Sequence, residues 1–200
     1  MKAKINYQRV KNKILDNKIT KNKVFNIVNT KFTKEKNKFI NEYENHPVTQ
    51  ELKSGPTASN ISNTLGGYGN LYSYIGFPVG FDPTQNVSFL LRTIKLFKTV
   101  QLKKETFSLK ALIPSTNDFS KASRMPWESG RSWLFDIEKG ISGLSEYLYG
   151  NFEASRSGKG IQVKKYTDKI FRPIPYFRFL YDKFLVRIKS LKWNLLIYII

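Results

Sequence analysis

The first quarter of the chain carries an apolar stripe at helical spacing. Its members are separated by 3, 4, 7 and 4 positions and are Phe25, Val28, Phe32, Phe39 and Tyr43. Such a stripe on an otherwise polar segment predicts one amphipathic helix. Pro47 disfavours the helical conformation for the residue before it, so the helix is predicted to end near Asn45.

A long polar segment follows this helix. Residues 54–82 are rich in Gly, Ser, Asn and Pro, which predicts a loop. A structureless loop of this length is usually either functional or disordered. Four apolar side chains within it indicate that it is partly anchored: Ile61, Leu65, Tyr68 and Leu71.

The rest of the chain alternates between strand-like and helix-like patterns. Alternation of apolar and polar positions predicts strands, and apolar spacing of three and four predicts helices. In chain order the predicted elements are a strand at 72–77, a helix opening at Asp82-Pro83 and running through Phe97, a β-hairpin over 100–113, a strand at 133–137, an edge strand at 161–163 and a final helix from Pro173 through Ile188.

This order predicts an α+β fold. We expect a long N-terminal helix packed on a mainly antiparallel β-sheet, with a second and a C-terminal helix. We divide the chain into a basic N-terminal helical arm at 1–53, an α+β core at 54–190 with a Gly/Ser/Asn-rich loop at 55–70, and an apolar C-terminal arm at 191–200. That last arm is predicted to pack on the core as a strand or helix, or to dock on a neighbouring subunit.

Charge and composition narrow the classes of function. The 200 residues include 34 Lys and Arg against 15 Asp and Glu, a net charge of +19, with no Cys and one His. The absence of Cys excludes disulfides, thiolate metal sites and a cysteine nucleophile. A single His excludes any site that needs two imidazoles. The charge favours a polyanion as partner, and nucleic acid is the most common polyanion.

No motif predicts catalysis, a cofactor or a bound metal. Ser157-Gly158-Lys159-Gly160 lacks the glycine spacing and the final hydroxyl of a phosphate-binding loop. Asp136 and Glu138 are expected on one face of a strand, paired with nearby cations. His46 is expected to cap carbonyl groups at a helix end. We expect a non-enzymatic protein of a reducing compartment, without a secretory signal or a membrane-spanning segment.

Two short segments resemble a known family. The first is His46-Pro47-Val48-Thr49-Gln50-Glu51-Leu52-Lys53-Ser54-Gly55, which ends the long helix, and the second is Phe171-Arg172-Pro173-Ile174-Pro175-Tyr176-Phe177, which opens the last one. Together they resemble the tail-completion and head–tail joining proteins of tailed bacteriophages. Gln50 stands where the family usually has Gly, the loop between Gly55 and Gly69 is longer, and Ile174-Pro175 interrupts the second motif. These departures fit a distant, larger relative, such as a neck protein of a large myovirus.

The resemblance implies a structural virion protein made in the host cytoplasm. About six copies would form a ring that joins the tail to the connector and lets DNA pass. Its partners would be other neck, tail-tube, sheath or connector proteins, with nonspecific contact to genomic DNA. The residues predicted to face DNA are Lys11, Lys13, Lys18, Lys21, Lys23, Arg156 and Lys159. The residues predicted to lie between subunits are Leu65, Tyr68, Leu71, Leu195, Leu196, Ile197 and Tyr198.

Other classes of function stay open at this point. An RNA-binding ribosomal or organellar protein would share the basic composition and the lack of a catalytic set. Its core would usually hold fewer Phe and Trp than this chain has. A nuclease would need a cluster of acidic residues for metal, and the sequence shows none. Steep salt dependence of RNA binding would identify the ribosomal class.

Overall fold

The computed structural model describes residues 6–67, 69–103, 106–126, 128, 130–141, 171–191 and 194–199. Within these ranges the helices are α1 Tyr7–Asp16, α2 Lys18–Glu44, α3 Pro47–Ser54, α4 Leu71–Ile75, α5 Gln85–Thr93, α6 Thr116–Ala122, α7 Trp133–Lys139 and α8 Phe177–Lys189. The strands are β1 Lys95–Lys103, β2 Thr106–Ile113 and β3 Asn194–Ile199, and a 3-10 turn spans Gly55–Thr57. The chain has the expected α+β fold with its long N-terminal helix.

The chain forms two compact units. Unit 1 contains Met1–Tyr43, Val87–Phe119 and Leu180–Ile200, and unit 2 contains Glu44–Asn86 and Ser120–Phe179. None of the described helices is long and apolar enough to cross a membrane.

The apolar stripe of α2 forms the helical core of unit 1. Val28, Phe32, Phe39 and Tyr43 are buried, as the spacing predicts. Phe39 stacks on Phe184 of α8 with ring centroids 4.9 Å apart, and Phe32 meets the same ring edge-on at 6.4 Å. The predicted helix end near Asn45 is confirmed, because α2 stops at Glu44.

An ion-pair group in unit 1 joins α2 to α8. Arg187 donates two hydrogen bonds to one carboxylate oxygen of Glu42, both at 2.9 Å, and its Nε lies 3.0 Å from a carboxylate oxygen of Glu35. Burial by itself would raise the pKa of Glu42. The hydrogen bonds and charge of Arg187, together with Lys183, outweigh burial and hold that pKa below its usual value.

The three strands of unit 1 form one sheet in the order β1-β2-β3. β1 and β2 form the predicted antiparallel hairpin, with Lys103 opposite Thr106. β3 pairs with β2 in parallel, from Ser108 opposite Asn194 to Ile113 opposite Ile199. The C-terminal apolar segment therefore adds a strand to the sheet of its own chain.

Several local expectations from the sequence were wrong. Neither 72–77 nor 133–137 is a strand, because α4 covers residues up to Ile75 of the first segment and α7 covers all of the second. Asn70 accepts a hydrogen bond from the Ser73 N–H and Gly76 ends α4 in the left-handed conformation with φ 86°, so local capping sets this helix. The second helix does not run from Asp82-Pro83 through Phe97, because α5 starts at Gln85 and β1 begins at Lys95. The last helix starts at Phe177 rather than at Pro173, since Pro173 and Pro175 disfavour the helical conformation in the residues before them. The edge strand predicted at 161–163 lies outside the described residues.

Candidate functional site

The site begins where α3 opens in unit 2. Pro47 occupies the first turn of α3, and Nδ1 of His46 accepts a hydrogen bond from the Val48 N–H at 3.3 Å. The expectation that His46 caps carbonyl groups was wrong, because Pro47 starts a new helix whose free N–H groups need an acceptor. Burial lowers the pKa of His46 below the ordinary 6.5, and a hydrogen bond with the Pro175 backbone opposes this shift.

α3 buries a carboxylate. Glu51 lies on the same helix face as Val48 and Leu52, because positions three and four apart lie on one side of a helix. All three side chains are fully buried. The Glu51 Oε1 accepts the Leu71 N–H at 2.6 Å and the Asn60 amide at 2.8 Å, while Oε2 accepts the Ser62 N–H at 2.9 Å. A buried carboxylate is costly unless such donors surround it.

The Gly/Ser/Asn-rich loop folds around this carboxylate. Asn60 accepts the N–H groups of Leu65 and Gly67 at 2.9 and 3.2 Å. The hydroxyl groups of Ser62 and Thr64 lie 2.9 Å apart, and each also lies near the Asn60 amide. We call the set Glu51, Asn60, Ser62, Thr64 and Leu71 the Glu51 cluster. The loop is therefore an ordered structure with its own polar interior, which confirms that it is anchored.

The segment that precedes α8 contacts the same loop. The Arg172 N–H donates to the Thr64 carbonyl oxygen at 2.7 Å. The Arg172 guanidinium lies beside Gly66, where an added Cβ would be 3.7 Å from Nη2. Gly66 also has a backbone φ of 63°, which favours glycine. Phe171 stacks on Tyr74 of α4 with ring centroids 5.8 Å apart.

Tyr176 joins this segment to α3. Its hydroxyl and the Thr49 hydroxyl are 2.7 Å apart, and its ring lies 4.6 Å from the ring of His46. Tyr176 and Thr49 are buried. Segments 46–55 and 171–177 are remote in sequence, and in unit 2 they meet around the Glu51 cluster.

α7 supplies the N-terminal cap of α8. The Glu138 carboxylate accepts the N–H groups of Tyr176 and Arg178, both at 2.8 Å, and that of Phe179 at 3.3 Å. Asp136 instead pairs with Arg131 at 2.8 Å. The expectation that Asp136 and Glu138 lie on one strand face was wrong, since both are helical and their carboxylates bind different groups.

The predicted DNA-facing lysines lie on the first two helices. Lys11, Lys13, Lys18 and Lys23 are exposed. Lys21 is half-buried and pairs with Asp16. α1 has no buried residue, so both its basic and its apolar side chains are accessible in this chain. Arg156 and Lys159 lie outside the described residues.

The residues predicted to lie between subunits occupy different environments. Leu65 and Leu71 are buried inside unit 2, so their side chains contact their own chain. The segment Leu195, Leu196, Ile197 and Tyr198 lies in β3, paired with β2. Tyr68 lies outside the described residues.

Sequence reasoning missed the most connected side chains of this site, Glu51 and Asn60. A signal for Glu51 was available, because Val48, Glu51 and Leu52 have the spacing of one helix face, and two of the three are strongly apolar. No comparable signal exists for Asn60, whose role depends on the path of the loop.

The side chains of Glu51 and Asn60 accept backbone N–H groups and so order the backbone of the loop. Across the part of the chain that the structure describes, no group of three His, Cys, Asp or Glu side chains is placed to hold a metal ion. The chain matches no protein-family model, no curated protein and no solved structure.

Proposed function

We propose that this chain is a structural protein of the neck or tail end of a tailed bacteriophage. Copies of the chain, about six, form a ring that joins the tail to the connector and lets DNA pass through its centre. Its partners are other neck, tail-tube, sheath or connector proteins. The role is mechanical, and the chain acts by binding rather than by catalysis.

One observation carries the proposal. The two segments that resemble tail-completion and head–tail joining proteins are remote in sequence, yet they contact each other at Tyr176 and Thr49 and share the loop around Glu51. Residues that resemble one family and also pack into one polar cluster support a common functional unit better than two isolated matches would.

The exposed lysines of α1 and α2 support the DNA part of the proposal. Lys11, Lys13, Lys18 and Lys23 are exposed on a chain with net charge +19. A ring that surrounds DNA gains from cations near the phosphate backbone without any need to distinguish bases.

The test is the mass of the full chain in solution. Nuclease-treated protein is measured by light scattering at about 0.15 M and about 1 M salt, and imaged by negative-stain electron microscopy. We expect a ring of fixed stoichiometry that persists at high salt and has an opening wide enough for duplex DNA.

A different result would favour the alternative. A monomer that binds RNA, with an affinity that falls steeply with salt, would contradict the neck proposal and support an RNA-binding ribosomal or organellar protein.

A further inference from the structure

The outward face of α2 carries a row of lysines. Lys31, Lys34 and Lys38 are three and four positions apart, which places them on one side of the helix. Lys23 lies about three helical turns before Lys34 and shares that side. All four residues are exposed, and at a rise of about 1.5 Å per residue the row is about 22 Å long. We call these four residues the α2 lysine face.

The acidic residues nearest to this face are held by another helix. Glu35 lies four positions after Lys31, and Glu42 lies four positions after Lys38. Opposite charges at this spacing on a helix are close enough to pair. Both carboxylates bind the Arg187 side chain of α8 instead, Glu35 at 3.0 Å and Glu42 at 2.9 Å. Arg187 therefore neutralises the two acids that are best placed to compete with a polyanion for the face.

The face differs from an ordinary solvated helix surface, on which charges of both signs alternate. The exposed residues of α8 follow the ordinary pattern, since Asp182 lies among Lys183 and Lys189. The structure describes α2 completely from Lys23 to Lys38, and the exposed residues of this stretch include no acid. A row of charges of one sign favours a partner of the opposite sign.

The neutral residues of the same stretch indicate which polyanion fits. Those that are exposed are Asn and Thr, with Ile27 as the one apolar side chain. A protein partner is normally bound around an apolar centre, for which one Ile is too little. Single strands are bound by stacking bases on aromatic rings, and none of the exposed residues in this described stretch is aromatic. Duplex DNA presents phosphates on its outside, and Lys, Asn and Thr side chains all bind phosphate oxygens.

We infer that the α2 lysine face binds the phosphate backbone of duplex DNA. This inference deepens the proposed function and rests on it for the choice of DNA as the double helix. It adds Lys31, Lys34 and Lys38 to the lysines expected to contact DNA. The contacts are to phosphates, so binding by this face does not depend on base sequence.

The test compares two triple substitutions in the full chain. The face variant removes three charges from the α2 lysine face: Lys31→Gln, Lys34→Gln and Lys38→Gln. Gln and Lys have similar helix propensities, so α2 is retained, and circular dichroism checks the fold. The control removes equal charge from exposed positions of unit 2: Lys53→Gln, Lys121→Gln and Lys139→Gln.

Binding to a fluorescent DNA duplex is measured by anisotropy from about 0.1 M to about 0.4 M salt. We expect the face variant to bind about tenfold or more weakly at the lowest salt. The slope of log affinity against log salt should become smaller by about 2 to 3, because each lost phosphate contact removes about 0.9. The control should stay within about twofold of the original chain and keep its slope.

Competition with unlabelled nucleic acid tests the choice of partner. We expect duplexes of unrelated sequence to displace the labelled duplex equally well, because phosphates carry no sequence information. A DNA single strand should compete less well, since the face offers no aromatic ring on which its bases could stack.

Three results would overturn the inference, and they differ in what they say about the proposed function. If the face variant and the control bind alike while the original chain forms a ring, the face does not hold DNA and the neck proposal stands. If a single strand competes better than a duplex, the face is not a duplex site. If the original chain binds no DNA, the inference fails together with the DNA part of the proposed function, and light scattering tests the ring separately.

Discussion

Glu51 shows how one side chain can define the path of a loop. Its carboxylate is fully buried and accepts the Asn60 amide and the Ser62 and Leu71 N–H groups. Asn60 and Ser62 lie within the loop and Leu71 directly follows it, so the carboxylate stabilises the closed loop against the entropy that an open one would gain. The loop then offers the Thr64 carbonyl to Arg172.

Replacing Glu51 with Gln tests this role. One carboxylate oxygen becomes an NH2 group, which faces donors and leaves at least one of them unsatisfied. We expect the free energy of unfolding to fall by about 2–3 kcal/mol, measured by urea unfolding followed with tryptophan fluorescence. Glu128→Gln is the control, because it removes only a half-exposed ion pair with Arg131. We expect this substitution to change the free energy of unfolding by less than about 0.5 kcal/mol. Equal effects of the two substitutions would show that the cluster does not stabilise the loop.

His46 makes folding stability depend on pH. Its pKa in the folded chain is below the ordinary 6.5, chiefly because burial disfavours the charged ring. Between the two values the unfolded chain binds more protons than the folded one, so stability falls as pH falls through 6.5 towards the folded pKa.

We expect His46→Asn to remove the part of this pH dependence that lies between about pH 7.5 and about pH 5.5. Asn caps helices well and does not titrate, so α3 keeps its N-cap. Thermal unfolding midpoints of both proteins across this range provide the measurement. The chain has no second His that could mask the change. Parallel pH curves for the two proteins would refute the assignment.

At the scale of elements, α8 depends on a cap from another helix. Residues 171–176 enter the helix without regular structure, and the first N–H groups of α8 donate to Glu138 of α7. The carboxylate also lies at the positive end of the helix dipole, where negative charge is favourable. α7 thereby fixes the start of α8 beside the Glu51 cluster.

Replacing Glu138 with Gln keeps the size of the side chain and removes its charge. We expect the thermal midpoint to drop by an amount equivalent to about 1 kcal/mol. Asp182→Asn is the matched control, because Asp182 lies in α8 itself but beyond its first turn, where the dipole effect is small. A larger loss for Asp182→Asn than for Glu138→Gln would contradict the capping role.

At the scale of the whole molecule, charge is distributed very unevenly along the chain. Residues 1–53 hold thirteen Lys and Arg against five Asp and Glu, whereas residues 54–91 hold one charged side chain. Under the proposed function, the lysine-rich helices α1 and α2 are expected to bind the phosphate backbone of DNA.

The triple substitution Lys13→Gln, Lys18→Gln and Lys23→Gln tests whether these helices bind DNA. We expect weaker binding to duplex DNA of any sequence, and a salt dependence whose slope is smaller by about 1 for each lost phosphate contact. The control is Lys53→Gln, Lys121→Gln and Lys139→Gln, which removes equal charge from exposed sites in unit 2. Fluorescence anisotropy at several salt concentrations measures both. Identical slopes for the two triples would show that α1 and α2 do not hold the DNA.

Periodicity along the chain was sufficient to predict α2, the β1–β2 hairpin and α8. In α2 and α8 the apolar residues repeat at helical spacing over several turns, as Val28, Phe32 and Phe39 do. In the hairpin they alternate with polar residues. Each of these patterns is compatible with only one type of secondary structure. Net charge follows from composition and does not depend on the fold, and the polyanion partner that it favours stays a prediction.

Tertiary structure determined the conformation of the short segments, whose apolar pattern repeats too few times to be specific. It also determined every contact between residues that are remote in sequence. Residues 72–77 and 133–137 are too short to distinguish a strand from a helix, and capping by Asn70 and Gly76 determines the outcome at the first. The burial of Glu51 and the meeting of Thr49 with Tyr176 arise only when distant segments pack together. Local patterns constrain local conformation, whereas a buried polar group is stable only when the whole fold supplies its partners.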